Sequence, residues 1–339
     1  MLLLSITVSC AQNGNAESSD LLLLGALAGT NLGATQPAET GDSRSIVLGG
    51  AEYKVTYVEQ YTFYSGTGAV ESTVPYPFWI GSTEVTYEFW NTVYSWAIVN
   101  GYTFEHPGTM GDGSGDTDQH PVTTIDWRDS MVWCNALTEY FNQEMGTNLE
   151  PVYYQDAGLT VLHRSSVRTG DCPNLDGPIA TPGNCADPYV DNDANGFRVP
   201  PAKTWGLAAT FVADSNNDGD ILDANEYHPW NYGSGASDDT DNATATAEVC
   251  WYSGNSGSST QAVGTKPANG LGLYDMCGNV LEWNEERPST SASSRIVRGG
   301  SYANFGPILQ WGPWNSNAAG HGRTSAIGLR IIQFDTTGN

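Results

Sequence analysis

Positive charge is what this chain lacks most. Its 339 residues hold 13 Lys and Arg against 38 Asp and Glu, a formal charge of -25 at pH 7. Such a surface repels nucleic acid instead of binding it through counterion release, while it suits solubility and cation binding. Charged residues of both signs reach only 15% of the chain, so Gly, Ser, Asn and Thr supply most of the polar surface. Histidine is sparse (His106, His120, His163, His228, His321), and no two of the five have a metal-binding spacing. The six cysteines show no zinc spacing either. A Gly-x-Ser-x-Gly elbow, a phosphate loop and an internal repeat are all missing. A Ser/His/Asp set is not readable here, because it assembles only in three dimensions. Residues 21–28, Leu-Leu-Leu-Leu-Gly-Ala-Leu-Ala, are too short for a bilayer, which takes about 20 residues, and no other segment is a transmembrane candidate.

The length is enough to bury a large core, and residues 46–333 read as one continuous domain followed by a tail, 334–339. Residues 1–10 form a short apolar run ending at Cys10 and followed by a polar tract. This resembles the tail of a bacterial lipoprotein signal, in which the Cys is lipidated and becomes the mature N-terminus. A basic leading region is missing, and Thr7 stands where Leu is usual. The alternative is an ordinary start with one incidental Cys. The first reading implies an exported protein at the bacterial cell surface or in the periplasm, touching the membrane only through a lipid anchor, with residues 11–45 as tether. Cys172 and Cys185 flank a Pro/Gly/Asn loop and could bridge in an oxidising compartment. Cys134 falls on a predicted helix face as a buried small hydrophobe. Cys250 and Cys277 either pair or stay free.

Strand-like residues open the domain at 45–48, 53–57 and 61–64. Residues 78–90 read as a short strand, a turn at Gly81-Ser82 and a helix start that Thr86 caps. Phe89, Trp90, Val93, Trp96 and Ala97 then recur at helical spacing, as a core face does. A Gly/Asp-rich loop, 101–119, leads to a strand at 120–127 and a second helix over about 128–142. Val132, Trp133, Ala136, Leu137, Tyr140 and Phe141 share one face of that helix. After Trp205 the chain reads as short strands between long loops.

Three late blocks carry a resemblance: Gly270-Leu-Gly-Leu-Tyr-Asp-Met-Cys-Gly-Asn-Val-Leu-Glu-Trp283, Arg298-Gly-Gly-Ser-Tyr302 and Ile327-Gly-Leu-Arg330. With Glu84-Val-Thr86 and Pro121-Val-Thr-Thr-Ile-Asp-Trp127, they resemble the formylglycine-generating (sulfatase-modifying factor) domain family over roughly residues 75–333. The resemblance implies an α+β, C-type-lectin-like fold with small twisted antiparallel sheets, two main helices and many ordered loops. Lys203 and Gly206 flank Trp205 where the family has acids, so that helix surface has diverged.

The resemblance also implies a structural calcium loop, with the roles falling on Asp275, Gly278, Val280 and Glu282. A turn rich in carbonyls plus two carboxylates offers the hard oxygens that Ca²⁺ takes. The alternative is a turn held by hydrogen bonds alone. A second calcium expectation comes from the residues themselves. Asp214, Asn216, Asp218, Gly219 and Asp220 match the first half of an EF-hand-type loop, although Asn225 holds the position of the closing Glu, Glu226 comes one place late, and flanking helices are not evident. Asp223 could substitute, and the alternative is a solvated acidic insertion.

The family's enzymes carry a cysteine pair just after Gly-Gly-Ser, one binding copper and the other engaging a substrate cysteine. Asn304 and Leu309 stand at those positions. Neither can serve soft Cu(I) or thiol exchange, so no copper is expected. Residues 303–326 match poorly between two well-matched blocks. Such a stretch is varied in the related variable proteins of diversity-generating retroelements. Phe305, Trp311, Trp314 and His321 with Asn304, Asn315 and Asn317 would form a surface of aromatic anchors and amides; the alternative is drift after loss of catalysis, with Trp311 and Trp314 packed in the core. The expectation is a catalytically silent module that binds an extracellular protein or glycan. The alternatives are an oxidoreductase with an altered site and a self-assembling structural subunit.

Overall fold

The sheet starts at a two-glycine turn. The computed structural model of the chain describes residues 37–65, 70–113, 115–167, 187–286, 294–305, 309, 316–317 and 323–336. Within it, β1 (Ser43–Leu48) and β2 (Ala51–Val58) form an antiparallel hairpin in which Leu48 faces Ala51. Gly49 and Gly50 both take positive φ, 56° and 90°, as this two-residue turn needs. Ile46, Leu48, Tyr53 and Val55 point inward, the period-two burial of a half-covered sheet. β1 begins inside the stretch read as tether.

A separate pair, β3 (Thr62–Ser65) and β4 (Val70–Thr73), follows, and then β5 (Phe78–Gly81) pairs with β2. Two helices cover one face: α1 (Tyr87–Val99) and α2 (Trp127–Met145), with the short strands β6 (Thr109–Met110) and β7 (Val122–Thr123) between them. Thr86 caps α1 as the sequence predicts, its hydroxyl accepting from the Phe89 amide at 3.2 Å. Asp126 and Asp129 form a reciprocal capping box on α2, and Gly146 ends that helix in the left-handed conformation. The predicted faces meet. Trp90 and Trp133 stack with centroids 5.1 Å apart, and the Trp133 indole donates to the Trp90 carbonyl. Both are fully buried. Trp96 is half-buried and stacks on Tyr140.

The remaining elements are β8 (Tyr153–Tyr154), β9 (Tyr189–Val190), β10 (Phe197–Arg198), α3 (Ala202–Thr210), α4 (Ala243–Val249), β11 (Leu281–Trp283), β12 (Arg295–Arg298), β13 (Ser316–Asn317), β14 (Ile327–Gly328) and β15 (Ile332–Phe334). The main sheet runs β1-β2-β5-β15-β10, so the last strand lies in the middle of a sheet begun by the first. A second sheet runs β13-β12-β11-β14. Its β11–β14 pair is parallel, a departure from all-antiparallel sheets. The α+β class holds. On the main sheet's other face Val58, Phe78, Ile80 and Ile332 pack with Phe63 and Trp205. α4 was not expected: Ala-Thr-Ala-Thr-Ala-Glu-Val has no apolar stripe and three β-branched residues, and the Asn242 side chain starts it by accepting from the Thr244 and Ala245 amides.

Candidate functional site

β11 carries Glu282 into the centre of the molecule, where Arg330 meets it. The Arg330 Nε lies 3.0 Å from both carboxylate oxygens and Nη2 lies 2.8 Å from Oε1. The same guanidinium donates to the carbonyls of Gly81 and Tyr274, and the Trp205 indole donates to Glu282 Oε2. Arg330, Glu282 and Trp205 are all fully buried. A planar fork with five donors suits such a crossing point.

Two more carboxylates share this cation's surroundings. Glu84 accepts from the Val280 amide at 3.0 Å and from the Asn279 side chain at 2.6 Å. Burial, then the nearby Asp275 and Glu282, push Glu84 well above the usual carboxylate range. Asp275 Oδ2 accepts from the Gly264 amide at 2.6 Å, while its Oδ1 is buried with no hydrogen-bond partner. Burial raises the Asp275 carboxyl to about 6. In the sequence Glu84 stands out only as part of the Glu84-Val-Thr86 block, and this role is not visible there because its partners, Asn279 and Val280, are far along the chain.

The structure places the expected calcium residues, Asp275, Gly278, Val280 and Glu282, in one short segment beside Arg330. The Gly278 amide donates to the Gly299 carbonyl and the Val280 amide to Glu84, bonds that leave the carbonyl oxygens expected as ligands uninvolved. Both Glu282 oxygens are taken by Arg330, whose positive charge opposes a second cation there. Of the expected ligands, the Glu282 carboxylate is thus engaged by Arg330 and Trp205, while Asp275 Oδ1 is buried without a hydrogen-bond partner.

The Gly-Gly-Ser turn lies beside this core. Gly299 and Gly300 have φ of 90° and 73°, and Gly299 packs against Trp205. The Tyr302 amide donates to the Asn279 carbonyl, which ties the turn to the 275–282 loop. Asn304 is half-buried; its Oδ1 accepts from the Ser301 hydroxyl at 2.8 Å and its carbonyl from the Ser253 amide. Leu309 is fully buried and packs with Ala236, Val249 and the Cys250–Cys277 disulfide. The two cysteines that sequence alone left undecided are therefore paired, and Cys134 is free and buried. An amide, an aliphatic side chain and two cysteines bonded to each other supply no thiolate, so this set does not fit copper. Phe305, 68% exposed, projects next to Asn304. Asn317 lies in β13 opposite Arg295. Trp311, Trp314, Asn315 and His321 lie outside the described residues, as do Cys10, Cys172 and Cys185.

Asp214, Asn216, Asp218 and Asp220 lie together on a loop after α3. Asp214 and Asn217 also form one wall of an open cleft of about 450 Å³ with Glu39, Glu59, Tyr61 and Phe211. One further cluster escaped sequence reading. His106 Nδ1 lies 2.7 Å from Asp129 Oδ2, and Asp126 is close by. The Asp129 carboxylate also accepts from the Asp126 amide and the Ser166 hydroxyl. Burial works against its charge, but the bonds from His106 and Ser166 hold it below the usual range, and its bond in turn raises His106. With Asp126 and Asp129 committed to the start of α2, this cluster locks a helix end.

Comparison with known proteins places these features in a family. Residues 31–334 match the sulfatase-modifying factor enzyme 1-like domain. "Chaperone protein LppX" of Paenibacillus barcinonensis is 25% identical over 338 residues, 92% of this chain and 97% of that protein. Among solved structures, Treponema denticola variable protein 1 has a TM-score of 0.61 at 24% identity, covering 86% of this chain and 99% of its own. CarF has a TM-score of 0.60 at 25% identity, covering 82% and 97%. Among the described residues no helix is long and apolar enough to cross a membrane.

Proposed function

We propose, from the premise that the chain belongs to the sulfatase-modifying factor enzyme 1-like domain family, that it is an exported, catalytically silent member whose face around residues 303–326 binds another protein. The observation that carries this reading is the pair of residues standing where the family's enzymes have thiols. The Gly299–Tyr302 frame is kept, yet Leu309 is packed inside and Asn304 is hydrogen-bonded to Ser301. Directly beside them Phe305 stands exposed, an aromatic anchor of the kind that dominates binding surfaces. A protein ligand is favoured over a glycan because the relative from Paenibacillus barcinonensis bears the name of a chaperone protein, one that acts on polypeptides. The Cys250–Cys277 disulfide supports export, since such bonds persist in oxidising compartments. The lipid anchor at Cys10 is part of the same proposal.

Two measurements test it. Oxygen uptake with Cu(I) and a cysteine-containing peptide is expected to stay at the level of the buffer; copper-dependent uptake by the purified chain would overturn the silent reading. An array of extracellular proteins and glycans, probed with the chain and with Phe305→Ala, is expected to yield a protein ligand that the variant binds about tenfold more weakly or worse. A ligand held equally by both forms removes the binding face from residues 303–326.

A further inference from the structure

We infer that residues 214–226 form a divalent-cation site of the calcium type, closed by Glu226 from one position later than an EF-hand loop places its last ligand. The loop is built for this. Gly219, the sixth residue, has φ 87° and makes the sharp bend. Asp214 accepts from the Asp218 and Gly219 amides, and Asn216 Oδ1 from the Asp218 amide, so the side chains at positions one and three turn into the loop. Ile221 is fully buried, and its amide and the Gly219 carbonyl pair with Thr62 of β3, which fixes the loop to the body of the protein.

An independent observation points to a ligand. Glu226 is 1% exposed. Its Oε1 accepts from the Ser215 amide and hydroxyl, which holds the carboxylate against the loop's first turn. Its Oε2 is buried with no hydrogen-bond partner. A carboxylate oxygen left so costs free energy unless a cation or a hydrogen-bond donor meets it, and no donor among the described residues does. The extra residue also explains why the position-twelve rule fails: Asn225 takes φ 76°, a left-handed step that absorbs the added residue and returns the chain at Glu226. Asp214, Asp218, Asp220, Asp223 and Glu226 are five carboxylates within one loop, and among the described residues none pairs with Lys, Arg or His. The Asn216 amide donates to both Asp218 and Asp223, bridging two anions with neutral hydrogens where a divalent ion would bring two charges. The ligands are then Asp214, Asn216 and Asp218 side chains, the Asp220 carbonyl and Glu226, all hard oxygens.

The test uses the full chain freed of metal by chelation. Calcium is titrated by calorimetry, and terbium luminescence is read with excitation of tyrosine, Tyr227 being adjacent to Glu226. The expected result is a calcium-binding event weakened about tenfold or more in both Asp218→Ala and Glu226→Gln, and unchanged in Asp275→Asn. Asp218 is exposed, so its variant keeps the fold even if the buried Glu226 substitution does not. No calcium binding by the chain at about 10 mM, or equal binding by Asp218→Ala, overturns the inference.

Discussion

Replacing Asp275 by Asn separates charge from shape at the most crowded point of the core. Asp275 has φ 56°, a left-handed conformation that Asn also tolerates, so the backbone is not strained by the change. The Asn carbonyl keeps the bond from Gly264; only the charge goes. In the native state burial raises the Asp275 carboxyl from 3.8 to about 6. Below pH 3.8 it is protonated in both folded and unfolded chains, and burial carries no ionic penalty. As pH rises toward 6 the unfolded chain has already released the proton and the folded one has not, so stability falls; above 6 the loss is complete. At 1.36 kcal/mol per pH unit, a shift of about two units amounts to about 3 kcal/mol, of which about 2 kcal/mol develops between pH 4.5 and 8. Urea unfolding of the chain and of Asp275→Asn at those two pH values, in a chelator, measures it. The constant cost of burying the amide cancels in the difference. Relative to the parent, the variant is expected to gain about 2 kcal/mol on going from pH 4.5 to 8. A difference that is flat with pH, or that moves the other way, refutes the account of a charge buried against Glu84 and Glu282. Repeating the pH 8 measurement with calcium tests the uncommitted Asp275 oxygen, because stabilisation confined to the parent chain would make it a ligand.

Other consequences follow from the same contacts. Arg330→Met leaves Glu282 buried without its cation and is expected to destabilise by about 3–5 kcal/mol in the same urea assay; less than 1 kcal/mol would mean that the Trp205 bond suffices. Replacing Cys250 and Cys277 by Ser removes a link across 27 positions, for which chain entropy gives about 3.5 kcal/mol, seen as a lower thermal midpoint under non-reducing conditions. Thr86→Ala removes the α1 cap and is expected to cost about 1 kcal/mol, rescued by Thr86→Ser.

Much of this was legible in advance where neighbours decide. The caps at Thr86 and the two apolar faces of α1 and α2 are written at short spacing, and the structure keeps them. α4 was not legible, because seven residues with alternating Thr and Ala carry no periodic signal and depend on one Asn242 cap. The parallel pairing of β14 with β11 is hidden for a different reason: strands of two and three residues are too short to declare a direction. At the site, the Gly-Gly-Ser frame and the missing thiols at 304 and 309 are plain in the sequence, but the pairing of Glu282 with Arg330, 48 positions away, is not.

By itself, then, the sequence determined the family, the fold class, the α1 and α2 faces and the absence of the family's cysteine pair after Gly-Gly-Ser, since all of these rest on residue identity at fixed local spacing. Only the tertiary structure decided which charges meet. It set Glu84, Asp275 and Glu282 around one guanidinium, joined Cys250 to Cys277 beneath Leu309, and left Glu226 Oε2 buried without a partner. Those outcomes depend on distances between segments far apart in the chain, and the energy of a charge depends on how deeply packing has removed it from water.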